Sequence, residues 1–455
     1  MMDYGKGIGL MIATGLCIML AANAVAAEGD TPAALPKPTT EQLEWQDCEI
    51  GVLICLDLIT FTDLREPNWT KASRLDPDLY NPTDLNTDQW MDATKALGAK
   101  YAVFVAKWCT GHMQWQTDLY PYGLKQTKWR DGKGDVVKAF MDSCRRADIK
   151  PGLYASVSAN AYWEVNNPGL VGWGKGGDDA KQAEYVRTSE KMLTELWGNY
   201  GPLFEVWFDG GALPPKDGGP DLLPILNKLQ PRATVFGGPA ETVRWIGNEN
   251  GTAGYPCWAT TGPGGGAETG DPNGTTWRPA ECDVPIRNHE WFWNPNEDNK
   301  LYSLDDLIER YYQSVGRNGN LLIGLVVDRS GRIPEADLRR CVEFGNEVKR
   351  RFGQCVAETS GQGAVLELPL EKPSPIDHVI LMEQIAEGER VREYVVEGMA
   401  QGEWRTLCRG QSIGHKRIER FAPVEVSKLR LRCTKSTATP LIRRLAAFGL
   451  SGIAP

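Results

Sequence analysis

Glu205-Val206-Trp207-Phe208-Asp209-Gly210-Gly211 reads as a buried strand that ends on an acid and two glycines. The strand is apolar and aromatic, and Asp209 falls where backbone pairing stops and side chains become available to a ligand. Further along, Arg244-Trp245-Ile246-Gly247-Asn248-Glu249-Asn250-Gly251 sets a second carboxylate, Glu249, in similar aromatic, glycine-rich company. Two carboxylates on loops among tryptophans are what glycosidic bond cleavage requires. A strand-end acid bonded to loop amides, or an acid capping a loop or helix, is the ordinary alternative for each. Their surroundings decide between these readings.

Working outward, short apolar runs alternate with amphipathic ones. Strands are expected over 51–61, 100–107, 150–157, 204–208, 233–236 and 320–327, and helices over 87–97, 135–147, 181–200, 221–230, 303–315 and 334–352. Near-continuous apolar strands separated by helices indicate a parallel sheet covered on both faces. About seven such units, with an irregular one in the Gly/Pro-rich stretch 251–274, fit a (β/α)8-like TIM-type barrel. A doubly wound open sheet competes, but no GxGxxG follows the first strand. In a barrel, Asp209 after the fourth strand and Glu249 beyond the fifth both project from the carboxyl-terminal rim. From about residue 356 the pattern becomes all-β. Lys428-Leu429-Arg430-Leu431-Arg432 alternates as a strand with one wet face, so a β-sandwich is expected over 356–455, following a barrel over 45–355.

The net charge of −9, without a basic run, disfavours a nucleic-acid partner. Sixteen Trp against eleven Phe is an unusual bias, and aromatic rings stack on the apolar faces of sugars as well as filling cores. Lys6, the apolar stretch 8–20 and Ala24-Val25-Ala26 read as an export signal over 1–26, with a leader over 27–44, and so as a secreted or periplasmic protein with no membrane attachment after cleavage. The ten remaining cysteines show no CxxC pair, so neither a metal site nor a cofactor is expected. Cys408 and Cys433 are the favoured disulfide partners, with buried free thiols expected for most of the others.

Trp129-Arg130-Asp131-Gly132-Lys133-Gly134-Asp135, the Glu205–Gly210 strand, Arg244–Gly251, Ala280-Glu281-Cys282-Asp283-Val284 with Ile286-Arg287, and Ser314-Val315-Gly316-Arg317-Asn318-Gly319 follow one another in order. On these motifs the chain resembles the α-L-fucosidases of glycoside hydrolase family 29, closest to the branch acting on α-1,3/1,4-linked fucose. The resemblance implies a barrel with a C-terminal β-sandwich of galactose-binding or jelly-roll type, a retaining mechanism, Asp209 as nucleophile and Glu249 as acid/base. It also implies an oligosaccharide or glycoconjugate substrate. The chain departs from the family where histidines hold the sugar. It has Leu53-Ile54-Cys55-Leu56-Asp57 in the first strand, Lys107-Trp108-Cys109-Thr110-Gly111-His112 after the second and Ser156-Val157-Ser158-Ala159 after the third. Loss of built hydrogen-bond partners redirects specificity.

The resemblance implies substrate contacts at Trp108, Cys109 and His112, whose family counterparts face the sugar, while Lys107 at the end of the second strand either touches substrate or pairs with an acid. Trp207, Trp245, Trp258 and Trp291 are expected to stack on sugar, with barrel core the alternative for each and above all for Trp207. Arg287 either bonds a sugar oxygen or neutralises Glu281. Two other functions fit the same residues: a glycosidase of changed sugar specificity, and a carbohydrate-binding protein on an enzyme scaffold. A lectin has no need of both carboxylates.

Overall fold

The structure, a computed structural model, describes residues 35–449. The export signal expected over 1–26 lies outside them. Residues 40–44, expected in the leader, are instead the first turn of helix α1 (Thr40–Cys48). A capping box starts it: the Thr39 hydroxyl accepts from the Gln42 N–H, and the Gln42 side chain accepts from the Thr39 N–H. The helix buries Trp45 completely and sends its indole N–H to Glu205 Oε1 at 3.2 Å.

Eight strands make the barrel: β1 (Ile50–Cys55), β2 (Tyr101–Lys107), β3 (Lys150–Ala155), β4 (Glu205–Trp207), β5 (Thr234–Phe236), β6 (Arg244–Trp245), β7 (Ala280–Pro285) and β8 (Gly319–Val326). They pair in parallel in the order β5-β4-β3-β2-β1-β8-β7-β6. A parallel bridge between Phe236 and Val243 brings β5 to the residue before β6 and completes the ring. Side chains alternate across the wall with a period of two. Leu53, Cys55, Val103, Val105, Tyr154, Trp207, Phe236 and Leu322 form the interior cluster, while Val52, Ile54, Ala102, Phe104, Leu153, Val206 and Ile323 join the outer core. That outer layer is covered by α2 (Thr87–Leu97), α3 (Val136–Ala147), α4 (Asp179–Asn199), α5 (Leu223–Leu229), α6 (Leu304–Gln313) and α7 (Glu335–Phe352).

The structure differs from the sequence expectation at three strands. β1 stops at Cys55, because Asp57 caps a 3-10 turn over Leu58–Phe61 by accepting from the Ile59 N–H. β6 is two residues long, too short for any periodicity to register. β7 carries Glu281 and Asp283 on its inward face, which breaks the apolar run although the whole strand is buried.

After α7, six antiparallel strands follow: β9 (Ala357–Gln362), β10 (Val365–Glu383), β11 (Val391–Ala400), β12 (Glu403–Gly410), β13 (Arg417–Ser436) and β14 (Leu441–Phe448). They form one hydrogen-bonded sheet, in the order β9-β14-β10-β13-β11-β12, around a core of its own. The two longest strands shift register between Pro369 and Ser374 and between Ile376 and His378. Ile380, Met382, Ile418, Ala446 and Phe448 belong instead to the outer core of the barrel. This β module therefore packs onto the barrel without a gap. Cys408 and Cys433 are free thiols, contrary to the expected pairing. Cys408 sits opposite Val396 and Cys433 opposite Tyr394, on the two strands flanking β11. Two strand spacings are roughly 9.5 Å, beyond the reach of a disulfide.

Candidate active site

Every barrel strand that contributes to the site does so from its carboxyl-terminal end, as expected for this architecture. Chain leaving β4 reaches Asp209 and then turns sharply through Gly210 and Gly211, whose φ values of 64° and 78° belong to the left-handed region that glycine enters freely. Chain leaving β6 reaches Glu249, β2 leads to Trp108 and Cys109, and the turn after β1 leads to Glu66. Asp209, Glu249, Glu66, Trp69, Trp108 and Trp291 share the walls of an open cleft of about 630 Å³. Below it lies a small chamber whose floor is apolar (Leu53, Cys55, Val105, Trp207, Phe292) and whose rim again holds Asp209 and Glu249. The two acids singled out by the sequence thus face one space.

Asp209 is half-buried. Its Oδ2 accepts from the Tyr154 hydroxyl at 2.7 Å and from the Cys109 thiol at 3.7 Å, and its backbone carbonyl accepts from the Ser158 hydroxyl at 2.6 Å. Glu249 is exposed to the cleft, and its Oε2 accepts from the Trp291 indole N–H at 3.1 Å. Trp291 lies close against β8 because residue 324 is glycine: a Cβ there would come within 2.6 Å of the indole ring.

The sequence reading missed three further groups. Glu66 lines the cleft and accepts from the Trp291 backbone N–H at 3.4 Å. Burial pushes its carboxyl up to about 8, opposed by that N–H and reinforced by the charges of Glu249, Asp209 and Glu290. At neutral pH it is largely protonated, able to donate to a sugar oxygen. Asp283 accepts from the Trp245 indole N–H at 2.8 Å, and burial raises its carboxyl well above the usual range. Tyr154, inside the strand expected over 150–157, donates to Asp209 Oδ2. An inward-facing position near the end of an expected strand was the available signal for Tyr154 and the acid beside Trp69 was the signal for Glu66, whereas Asp283 lies on a strand whose own acids hid it from the apolar pattern.

Of the expected sugar contacts, Trp108, Cys109, Trp207 and Trp291 line the cleft or its chamber. Trp207 is also core: its ring stacks on Phe236 at 4.1 Å and its indole N–H donates to Glu281 Oε1 at 2.8 Å. Trp245, 42% exposed, lines two adjoining hollows, one of which it shares with Asp209 and Glu249. The remaining four residues lie elsewhere. Lys107 is fully buried and spends its ammonium on the carbonyls of Ser156 and Ala159, both at 2.7 Å, tying β2 to the loop after β3. His112 is stacked on Tyr80 beneath the loops, neither ring nitrogen has a partner, and burial depresses it to about 3. Trp258 is buried under the guanidinium of Arg392 from the β module. Arg287 neutralises Asp337 and Asp298 rather than Glu281 or a sugar.

Beneath the chamber, Glu205 and Glu281 form a buried carboxyl pair. Glu281 accepts from Trp207 and from the Tyr101 hydroxyl, both at 2.8 Å, whereas Glu205 Oε2 has no partner. Burial, with the Glu281 charge, raises Glu205 well above its usual range, and burial pushes Glu281 up to about 7. A carboxyl raised by folding binds more protons folded than unfolded, so its stabilisation is full below the unfolded value of 4.5 and is lost as pH rises through about 7. Denaturant unfolding is expected to show stability falling across that window, and Glu205→Gln, which removes a buried carboxyl that folding keeps protonated, is expected to flatten the fall. An unchanged slope in the variant would count against a Glu205 that folding holds protonated.

A parallel barrel whose carboxyl-terminal rim gathers acids among tryptophans is the architecture of a glycoside hydrolase. Comparison with known proteins agrees. The alpha-L-fucosidase family profile matches residues 57–351. Alpha-L-fucosidase 1 of Arabidopsis thaliana is 30% identical over 467 residues, spanning 91% of this chain and 88% of that protein. A Bacteroides thetaiotaomicron crystal structure superposes with a TM-score of 0.87 at 41% identity, over 91% of this chain and 99% of that one. A glycoside hydrolase 29 family member from an unknown rumen bacterium gives 0.80 at 29% identity, over 92% and 78% of the two chains. The chain belongs to the α-L-fucosidase family, glycoside hydrolase family 29.

Proposed function

We propose that the protein is a retaining exo-glycosidase that removes terminal α-linked L-fucose, of the α-1,3/1,4 type, from exported or extracellular glycans. In the first step the Asp209 carboxylate attacks the anomeric carbon, the bond to the leaving oxygen breaks, and Glu249 delivers its proton to that oxygen. In the second, Glu249 takes a proton from water, the water oxygen attacks the same carbon, and Asp209 leaves as carboxylate. The observation that carries this reading is the shared cleft: Asp209 is anchored from beneath on one oxygen, and Glu249 stands free apart from one indole donor. Trp108 and Trp291 supply the walls against which the sugar packs, with Glu66 as a neutral hydroxyl partner.

A second reading, the same chemistry on a related pyranoside, is favoured by the chamber itself. Its floor is Leu53, Cys55, Val105, Trp207 and Phe292, and the only histidine on the cleft is His289 at the exposed mouth, among the described residues. A panel of 4-nitrophenyl glycosides decides between them, with α-L-fucoside expected to be turned over fastest. Proton NMR of the first-formed sugar is expected to show the α anomer. Initial release of the β anomer would refute retention. Export through the segment 1–26 belongs to the same proposal, and amino-terminal sequencing of the mature protein is expected to begin at Ala27.

A further inference from the structure

We infer that Cys109 is a positioning residue for the nucleophile, holding one oxygen of Asp209 together with Tyr154 so that the other is free to attack; this rests on the assignment of Asp209 above. Both donors converge on Oδ2, the hydroxyl at 2.7 Å and the thiol at 3.7 Å. Oδ1 has no protein partner among the described residues. A carboxylate held on one side cannot spin about its terminal bond, and its unbonded oxygen keeps its lone pairs for the incoming carbon.

The thiol is itself held in place. Cys109 is 7% exposed, and its sulfur also lies 3.9 Å from the Ser156 hydroxyl. The next residue, Thr110, donates from a single hydroxyl lying 2.8 Å from each oxygen of buried Asp57. Two residues earlier, Lys107 is clamped by the carbonyls of Ser156 and Ala159. The loop is therefore pinned on both sides of the sulfur. Burial, with the Asp209 charge, keeps the thiol protonated and so a donor. The fold supports the second donor as firmly, because the Tyr154 ring stacks on Trp207 at 5.1 Å.

A thiol is a long, weak donor. It orients the carboxylate while withdrawing little of the charge that attack requires. In the glycosylation step the bond from Oδ1 to the anomeric carbon forms as the carbon–leaving-oxygen bond breaks, with the Glu249 proton passing to the leaving group. Oδ2 keeps both donors throughout.

The test is steady-state kinetics on 4-nitrophenyl α-L-fucoside with Cys109→Ala, Cys109→Ser, Tyr154→Phe and the Cys109→Ala/Tyr154→Phe pair, alongside their thermal midpoints. Cys109→Ala is expected to lose about tenfold in kcat with KM nearly unchanged, and Cys109→Ser to recover most of that loss. The double variant is expected to lose more than the product of the single losses, since either donor alone still restrains the carboxylate. Cys109→Ala with wild-type kcat, or with only KM raised, overturns the proposal while leaving the hydrolase reading intact. A Cys109→Ser enzyme no better than Cys109→Ala also overturns it. Absence of turnover by the wild type on every glycoside of the panel overturns the hydrolase reading, and with it the nucleophile assignment on which the proposal rests.

Discussion

Asp209→Ala is expected to reduce kcat on 4-nitrophenyl α-L-fucoside by about 10⁴-fold or more while leaving the fold intact. The loss is large because no other cleft carboxyl can replace it. Glu249 lines the same cleft and carries the acid/base role in this proposal, Glu66 is held largely neutral by burial, and Glu290 and Glu297 are paired with Lys300. The fold should survive because Asp209 is half-buried on a glycine turn, and its removal frees only the Tyr154 hydroxyl and the Cys109 thiol. Azide fits the space vacated by the carboxylate. Added azide is expected to restore turnover and to give a β-linked glycosyl azide, since a single displacement inverts the anomeric centre. Retention of near-normal activity in the variant, or rescue with an α-linked product, would remove Asp209 from the nucleophile role.

Glu249→Ala is expected to lose about 10³-fold on substrates with poor leaving groups, such as fucosylated oligosaccharides, and far less on activated aryl fucosides. An acidic phenol departs without a proton, so the first step no longer depends on an acid. Deglycosylation then becomes slow, because nothing activates the water, and a burst of nitrophenol should precede the steady state. The same dependence on leaving group separates Glu249 from Glu66. Glu66 contacts the backbone N–H of Trp291, whereas Glu249 takes the indole N–H of the same residue. A carboxyl that only reads a sugar hydroxyl affects all leaving groups alike. Equal losses in Glu249→Ala on activated and unactivated substrates would move the acid/base role elsewhere, with Glu66 the first residue to examine.

These two acids were visible without coordinates because barrel topology converts position in the chain into position in space. An acid just past an apolar strand, followed by glycines, emerges at the rim on which all the other strands also end. The same logic fits Trp108 and Cys109, whereas Trp291 was expected only as a tryptophan that could stack on a sugar. That logic misplaced His112 and Lys107, which follow the second strand as closely as Cys109 does. Position past a strand sets proximity to the rim, but side-chain direction is set by local hydrogen bonding and packing. Lys107 found two carbonyls beneath it, and His112 found the ring of Tyr80. Arg287 was open between two roles, and Asp337 on α7, fifty residues away, took it through a bidentate pair.

Apolar periodicity, strand-end chemistry and the order of motifs determined the barrel, the β module after it and the pair of carboxylates, all of which depend on local pattern and chain topology. The tertiary structure alone decided the rest. It brought Glu66, Tyr154 and Asp283 to the same space and gave Asp209 its thiol and hydroxyl donors. It also drove several acids toward their protonated forms. Those properties come from desolvation and from contacts between residues far apart in the chain, neither of which a linear pattern encodes.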